Sequence, residues 1–221
     1  MTNKSIILLS GGLDSLVSLG LTKTEYNVSL ALTFNYGQNP VEYEIEASRK
    51  ISDYFGLEHK VIELPFLKDI TNNSFVSKEG SKKSDNNKSK STLESVWVPN
   101  RNGLFLNIAA AYADAFGYKY IIFGANKSEG QVFPDNTSEF VSGINESFEF
   151  STLKKAKVIA PLIDYDKIDI VRVALEKNIP LELVYSCYGN QQKNCGECES
   201  CKHLKSALEA NGAYNYIERL F

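Results

Sequence analysis

Two rhythms of apolar residues alternate along this chain. Short continuous apolar runs read as buried strands, and apolar residues three and four apart read as helices. Residues 4–10 give a first strand and 14–24 a helix. Residues 27–37 (NVSLALTFNYG) give a second strand. Residues 40–57 carry Val41, Ile45, Ala47, Ile51 and Phe55 at helical spacing, with Pro40 suited to a first helical position and Gly56 to a stop. A short strand follows at 58–65. Farther on, 101–117 is a helix ending at Gly117, 119–126 a strand ending in Gly-Ala-Asn, and 135–150 a helix. A strand at 157–163, a helix at 166–179 stopped by Pro180 and a helix at 200–210 complete the pattern. This order predicts the α/β class: a doubly wound parallel sheet with helices on its faces.

Residues 77–95 (SKEGSKKSDNNKSKSTLES) break the rhythm with almost nothing to bury. They read as a mobile surface insertion, either a plain loop or a lid over a site. At 221 residues and 43% hydrophobic composition, the chain suffices for one sizeable core and a small appendage. We divide it into an α/β domain at 1–180 and a C-terminal segment at 181–221 packed on it. A net charge of −3 gives no broad pull on nucleic acid, so no such partner is expected. The first residues lack a signal-peptide layout and the first apolar run is too short for a bilayer. A cytoplasmic protein without a membrane partner is expected.

The corner after the first strand reads Ser10-Gly11-Gly12-Leu13-Asp14-Ser15. The N–H groups of a helix start point outward unpaired, and with the helix dipole they favour an anion. Glycines let oxygens approach the backbone. Ser10, Gly11, Gly12, Asp14 and Ser15 therefore read as a phosphate cradle, with Asp14 either capping the helix or holding Mg²⁺. The alternative is a capped helix after a tight turn.

All four cysteines fall late: Cys187, Cys195, Cys198 and Cys201. Clustering of this kind in a reduced compartment points to metal rather than disulfides. Four thiolates make a closed, structural Zn²⁺ site with no catalytic position. A redox C-x-x-C pair or an iron–sulfur cluster is the alternative. His203 reads as an exposed or capping residue.

The spelling S-G-G-x-D-S resembles the PP-loop of ATP pyrophosphatases, which hold the pyrophosphate end of ATP and adenylate a carbonyl or carboxylate oxygen. Five fixed positions match by chance at about one start in a million. With the cysteine pattern, the chain resembles the 7-cyano-7-deazaguanine synthase family of queuosine biosynthesis over nearly its whole length. The stretches that carry the likeness are LLSGGLDSLVSL, LTFNYGQ (32–38), VPNRN (98–102), FPD (133–135), APLIDYDKIDIV (160–171), IPLELVYSCY (179–188) and CGECESC (195–201).

The resemblance implies a ligase that uses ATP with Mg²⁺ to join ammonia to 7-carboxy-7-deazaguanine, through the amide to the nitrile. It implies that the Ser-Gly-Gly loop binds phosphates and that Leu8 and Thr33 frame the adenine. Arg101 and Asn102 meet phosphate or the substrate carboxylate, and Lys167 reaches the ATP phosphates. Gly124 and Asn126 end a strand on the site side. Phe133 stacks on the base and Asp135 accepts from its guanidine-like edge. Asp14, Ser15, Arg101 and Lys167 are the catalytic set, and a homodimer is expected.

The departures cluster at the substrate. The family usually has Gly at Asn100, Asp at Asn35, a basic residue at Asn39, and Tyr-Pro-Asp-Cys-Arg where this chain has Phe133 to Thr137. Its acidic residue before that stretch has only Glu129 as a counterpart. These changes define a second expectation: a paralogue that stops at the amide or conjugates the base to a protein or peptide amine, as in a defence system. A third is a non-catalytic ATP-binding interaction module.

Overall fold

A computed structural model describes residues 4–71, 76 and 97–221. The stretch read as an insertion, 77–95, lies outside the described residues. The first half runs β1 (Ser5–Leu8), α1 (Leu13–Thr22), β2 (Val28–Asn35), α2 (Val41–Phe55), β3 (Glu58–Glu63) and the short α3 (Phe66–Ile70). The second half runs α4 (Arg101–Phe116), β4 (Tyr120–Ile122), α5 (Lys127–Gly130), α6 (Ser138–Ser151), β5 (Lys157–Ile159), α7 (Lys167–Glu176), α8 (Glu199–Ala210) and α9 (Tyr214–Leu220).

The five strands are all parallel, in the order β3-β2-β1-β4-β5. Alternation along the strands sorts side chains onto two faces. Ile7, Leu9, Ala31 and Ile122 pack with Leu16 and Val17 of α1, Ile170 and Ala174 of α7, and Leu204 and Leu208 of α8. Ile6, Leu8, Leu30, Leu32, Ile121 and Val158 pack with Leu106, Ala109 and Ala113 of α4 and Phe148 of α6. Both faces are covered, which is why the strands read as continuous apolar runs rather than polar-apolar alternation.

The chain leaves β1 toward β2 on one side and fills β4 on the other. The order therefore reverses between β1 and β4, and in such sheets ligands sit beyond the carboxyl ends of the strands at that reversal. The expected helix at 135–150 starts later, at Ser138. Pro134–Asn136 form a 3-10 turn first, and Thr137 caps α6 by accepting from the Phe140 N–H at 3.2 Å. α3, α5 and α9 are too short to give a periodic signal.

Candidate active site

The loop from β1 into α1 is built by close approach. Gly11 has φ +80°, and a Cβ there would lie 2.8 Å from the Ala47 Cβ and 3.0 Å from the Glu44 carbonyl oxygen. No side chain larger than hydrogen fits this corner. Gly12 caps α1 without a side-chain hydrogen bond, so the first-turn N–H groups stay open. Ser15 Oγ donates to the Gly12 carbonyl at 3.1 Å and accepts from the Ser10 N–H at 3.3 Å. Ser10 Oγ accepts from the Gly12 N–H and lies 3.3 Å from Ser15 Oγ. Both hydroxyls thus meet at the start of α1.

Asp14 is not the helix cap. It lies within the first turn of α1, and its Oδ2 accepts from Lys167 Nζ at 2.7 Å. Lys167 also reaches Glu129 Oε1 at 3.3 Å. Burial pushes the Asp14 carboxyl above its ordinary value, against the pull of Lys167. Burial acts to lower the Lys167 ammonium, but the two carboxylates outweigh it and the net shift is upward. Asp14 Oδ1 is buried without a partner. A buried, unpaired carboxylate oxygen beside an open helix start fits a Mg²⁺ ligand. Asp14 would hold that ion, which would neutralise phosphate charge there.

Gly124 closes the cradle from β4. Its Cβ would meet the Asp14 carbonyl carbon and the Ser15 nitrogen at 3.2 Å each. Asn126 is fully buried; its Oδ1 accepts from the Glu129 N–H at 3.0 Å and its Nδ2 has no partner. Leu8 ends β1 opposite Leu32 of β2, and Thr33 is the next residue of that strand; Leu8 and Thr33 are both buried. Thr33 Oγ1 donates to the Leu9 carbonyl at 2.7 Å, so its 2.8 Å contact with His59 Nε2 makes that nitrogen the donor. The Thr33 side chain braces the strand end that delivers Ser10.

A second group gathers at the start of α4. Arg101 Nη1 donates to the Tyr36 hydroxyl at 3.3 Å, and its guanidinium interacts with Asp135 and Glu44. Asn102 Nδ2 donates to the Asp135 carbonyl at 3.4 Å, which ties the Phe-Pro-Asp turn to α4. Burial raises the Asp135 carboxyl, and Arg101 opposes it. Phe133 is half-buried and belongs to neither of the two cores that cover the sheet. It stacks on Trp97 with ring centroids 6.0 Å apart and 15° between planes.

Two departures from the family spelling have backbone reasons. Asn100 has φ +51°, a conformation in which glycine and asparagine are the favoured residues. Asn35 Oδ1 accepts from the Gly37 N–H at 3.1 Å, a turn that Asn and Asp make equally well.

The four cysteine sulfurs lie within 4.8 Å of one another. Cys195 and Cys201 are 3.8 Å apart, which is the edge of a tetrahedron with Zn–S bonds of about 2.3 Å. Cys195 accepts from the Cys198 and Glu197 N–H groups at 3.2 and 3.3 Å, and this holds its thiol down to about 6. Gly196 takes φ +74° to make the knuckle. The donor set fits a metal such as zinc. His203 is exposed and outside the cluster. The segment touches the cradle directly: the Tyr185 N–H donates to the Gly11 carbonyl at 2.9 Å.

Sequence reasoning missed Tyr36, Gln38 and Glu44 and left Glu129 without a role. Only their proximity in the fold reveals them, apart from the Tyr-Gly-Gln spelling itself.

Residues 4–212 match the family described as queuosine biosynthesis protein QueC. The chain belongs to the QueC family. The 7-cyano-7-deazaguanine synthase of Carboxydothermus hydrogenoformans is 47% identical over 213 residues, covering 94% of this chain and 99% of that protein. The synthase of Methanosarcina barkeri is 40% identical over 228 residues, covering 98% and 99%. Likeness extends to solved structures at the level of fold. The U34-tRNA thiolase NcsA from Methanococcus maripaludis, solved with its 4Fe-4S cluster, has a TM-score of 0.51 at 15% identity over 99% of this chain and 69% of that one. NMN synthetase from Francisella tularensis has a TM-score of 0.50 at 17% identity over 97% and 86%. As a QueC member the chain is a queuosine biosynthesis enzyme on a PP-loop fold. Among the described residues no helix is long and apolar enough to cross a membrane.

Proposed function

We propose that this chain is the ATP-dependent ligase that converts 7-carboxy-7-deazaguanine and ammonia to the amide and then to 7-cyano-7-deazaguanine. The observation that carries the reading is the meeting, at the sheet's reversal point, of an uncapped Ser-Gly-Gly helix start with the Asp14–Lys167 pair. Such a site suits a polyphosphate.

A carboxylate is a poor acyl donor because oxide is a poor leaving group. Transfer of its oxygen to the α-phosphate of ATP, with release of pyrophosphate, replaces oxide by AMP. Lys167 and the open N–H groups of α1 stabilise the charge that develops on the departing pyrophosphate. Arg101 orients the substrate carboxylate, Asp135 accepts from the guanidine-like edge, and Phe133 stacks on the ring. Ammonia then attacks the activated carbon and AMP leaves. The chain supplies position and charge. Zn²⁺ held by Cys187, Cys195, Cys198 and Cys201 supplies a crosslink, not chemistry.

The test is a mass-resolved product assay with enzyme, ATP, Mg²⁺, ammonium and 7-carboxy-7-deazaguanine. AMP and the nitrile are expected. AMP with the amide alone, or turnover only when an acceptor protein is added, supports the paralogue reading. ATP binding without AMP under any condition supports the interaction module.

A further inference from the structure

Most carboxylates around the cradle are already engaged. Asp14 and Glu129 face Lys167, and Asp135 accepts from Asn136 and from the Asn102 N–H. Glu44, in the first turn of α2, makes no ion pair among the described residues. It is half-buried and held in place by another side chain. Gln38 is 3% exposed, and its amide is fully used. Its Oε1 accepts from the Tyr36 N–H at 2.9 Å, and its Nε2 donates to the Phe34 carbonyl at 3.0 Å and to Glu44 Oε2 at 2.7 Å. Turning the amide over would break all three bonds.

The position is as telling as the hold. The Glu44 backbone packs against Gly11, and its charge is felt by Tyr36, Arg101 and Tyr185. Glu44 therefore stands between the phosphate cradle and the Arg101 group, where an activated carboxyl and AMP would meet. Arg101 acts on Glu44 only from beyond ion-pair distance, which leaves the half-buried carboxylate free to take a small cation in direct contact. Ammonium has the size, the charge and the N–H donors.

We infer that Glu44, positioned by Gln38, binds ammonium and is the base that frees ammonia for attack. The inference rests on the ligase reading above. Ammonium has no lone pair, so it must lose a proton first. Glu44 takes that proton. The nitrogen lone pair then forms the C–N bond, and the C–O bond to AMP breaks with its electrons leaving on the phosphate oxygen. A second proton leaves the new nitrogen for water, which balances the step. Burial raises the Glu44 carboxyl, with Gln38 and Arg101 opposing, and a raised carboxyl holds a proton more readily than a free one.

The experiment separates the two half-reactions in the full-length metal-loaded enzyme. Base-dependent exchange between pyrophosphate and ATP reads adenylation without ammonia. Amide formation reads the attack. In Glu44→Gln, exchange should stay within about threefold of wild type while amination by ammonium falls about 100-fold or more. Hydroxylamine is largely unprotonated at the same pH and needs no base. It should restore Glu44→Gln to within about tenfold of wild type supplied with hydroxylamine. Glu44→Asp, which keeps the base but withdraws it, should raise the KM for ammonium and leave exchange intact. Two results would overturn the inference. One is exchange falling as far as amination, which would put Glu44 on the base or on ATP. The other is unchanged amination by ammonium. Absence of exchange in the wild type would instead overturn the ligase reading itself.

Discussion

Lys167 is the residue whose removal should disturb the cradle most. It stands between two carboxylates, and its side chain is 18% exposed against 24% for Asp14. Breaking a buried pair leaves an uncompensated charge, and partial exposure here reduces that cost to about 1–3 kcal/mol. The sign with pH follows from Asp14. Its folded-state value is raised above the ordinary 3.8, so the stability it contributes is full below that value and lost as pH rises through the folded value. Without Lys167 the carboxyl rises further and the loss deepens. Lys167→Met should therefore show a larger deficit in melting temperature against wild type at pH 7 than at pH 4. Thermal melts of both proteins across that range check it. An equal deficit at both values would mean that Asp14 does not carry the effect. This pairing was only half legible in the sequence. Asp14 and Lys167 each stood in a recognisable motif. Nothing in their 153-residue separation announced a 2.7 Å contact.

At the scale of elements, what the sequence made legible were those with a local cause. The strand-glycine-helix corner and the αL stop at Gly56 are written in short spans. The cysteine cluster was legible from spacing, because two-residue gaps on a tight knuckle put thiols together. What stayed hidden was cooperation between elements. Gln38 holding Glu44, Asn102 holding the Asp135 turn, and Tyr185 bonding to Gly11 all depend on the packing of distant segments. The last of these joins the cysteine segment to the cradle. The Tyr185 hydroxyl also shares its one proton between the Gly189 and Gln191 carbonyls, each 2.8 Å away, so the loop leading to the cysteines and the Gly11 contact share one residue. Removing the metal should loosen that strap and the loop it holds. A chelator is expected to lower the melting temperature and weaken ATP binding about tenfold, while amide exchange at residues 11–15 speeds up. Calorimetry and hydrogen exchange on the treated protein read both effects. Unchanged ATP affinity in a chelated, folded protein would confine the metal to the C-terminal segment.

For the whole molecule, the question is whether residues 181–221 are an appendage or part of the core. Leu181, Val184, Leu204, Ala207, Leu208, Ala213 and Leu220 are all buried in the cluster that contains Ile7, Leu16 and Ile170. α8 lies directly on α7, and α9 packs beside it. Deleting the segment would uncover one face of the central strands. Burial of one leucine or valine side chain contributes about 1.5–3 kcal/mol, so the five among these contribute about 7–15 kcal/mol, comparable to the whole stability of a typical domain. The chain should therefore unfold as one unit. Tyrosine fluorescence and release of cysteine thiols should follow a single denaturant transition in the metal-loaded protein. A fragment ending at residue 180 should show no cooperative melt. If that fragment folds and binds ATP alone, the cradle owes nothing to the C-terminal segment. A single transition would instead make the Ser-Gly-Gly loop, the cysteine segment and the sheet one cooperative structure, in which unfolding the cysteine segment would also undo the loop.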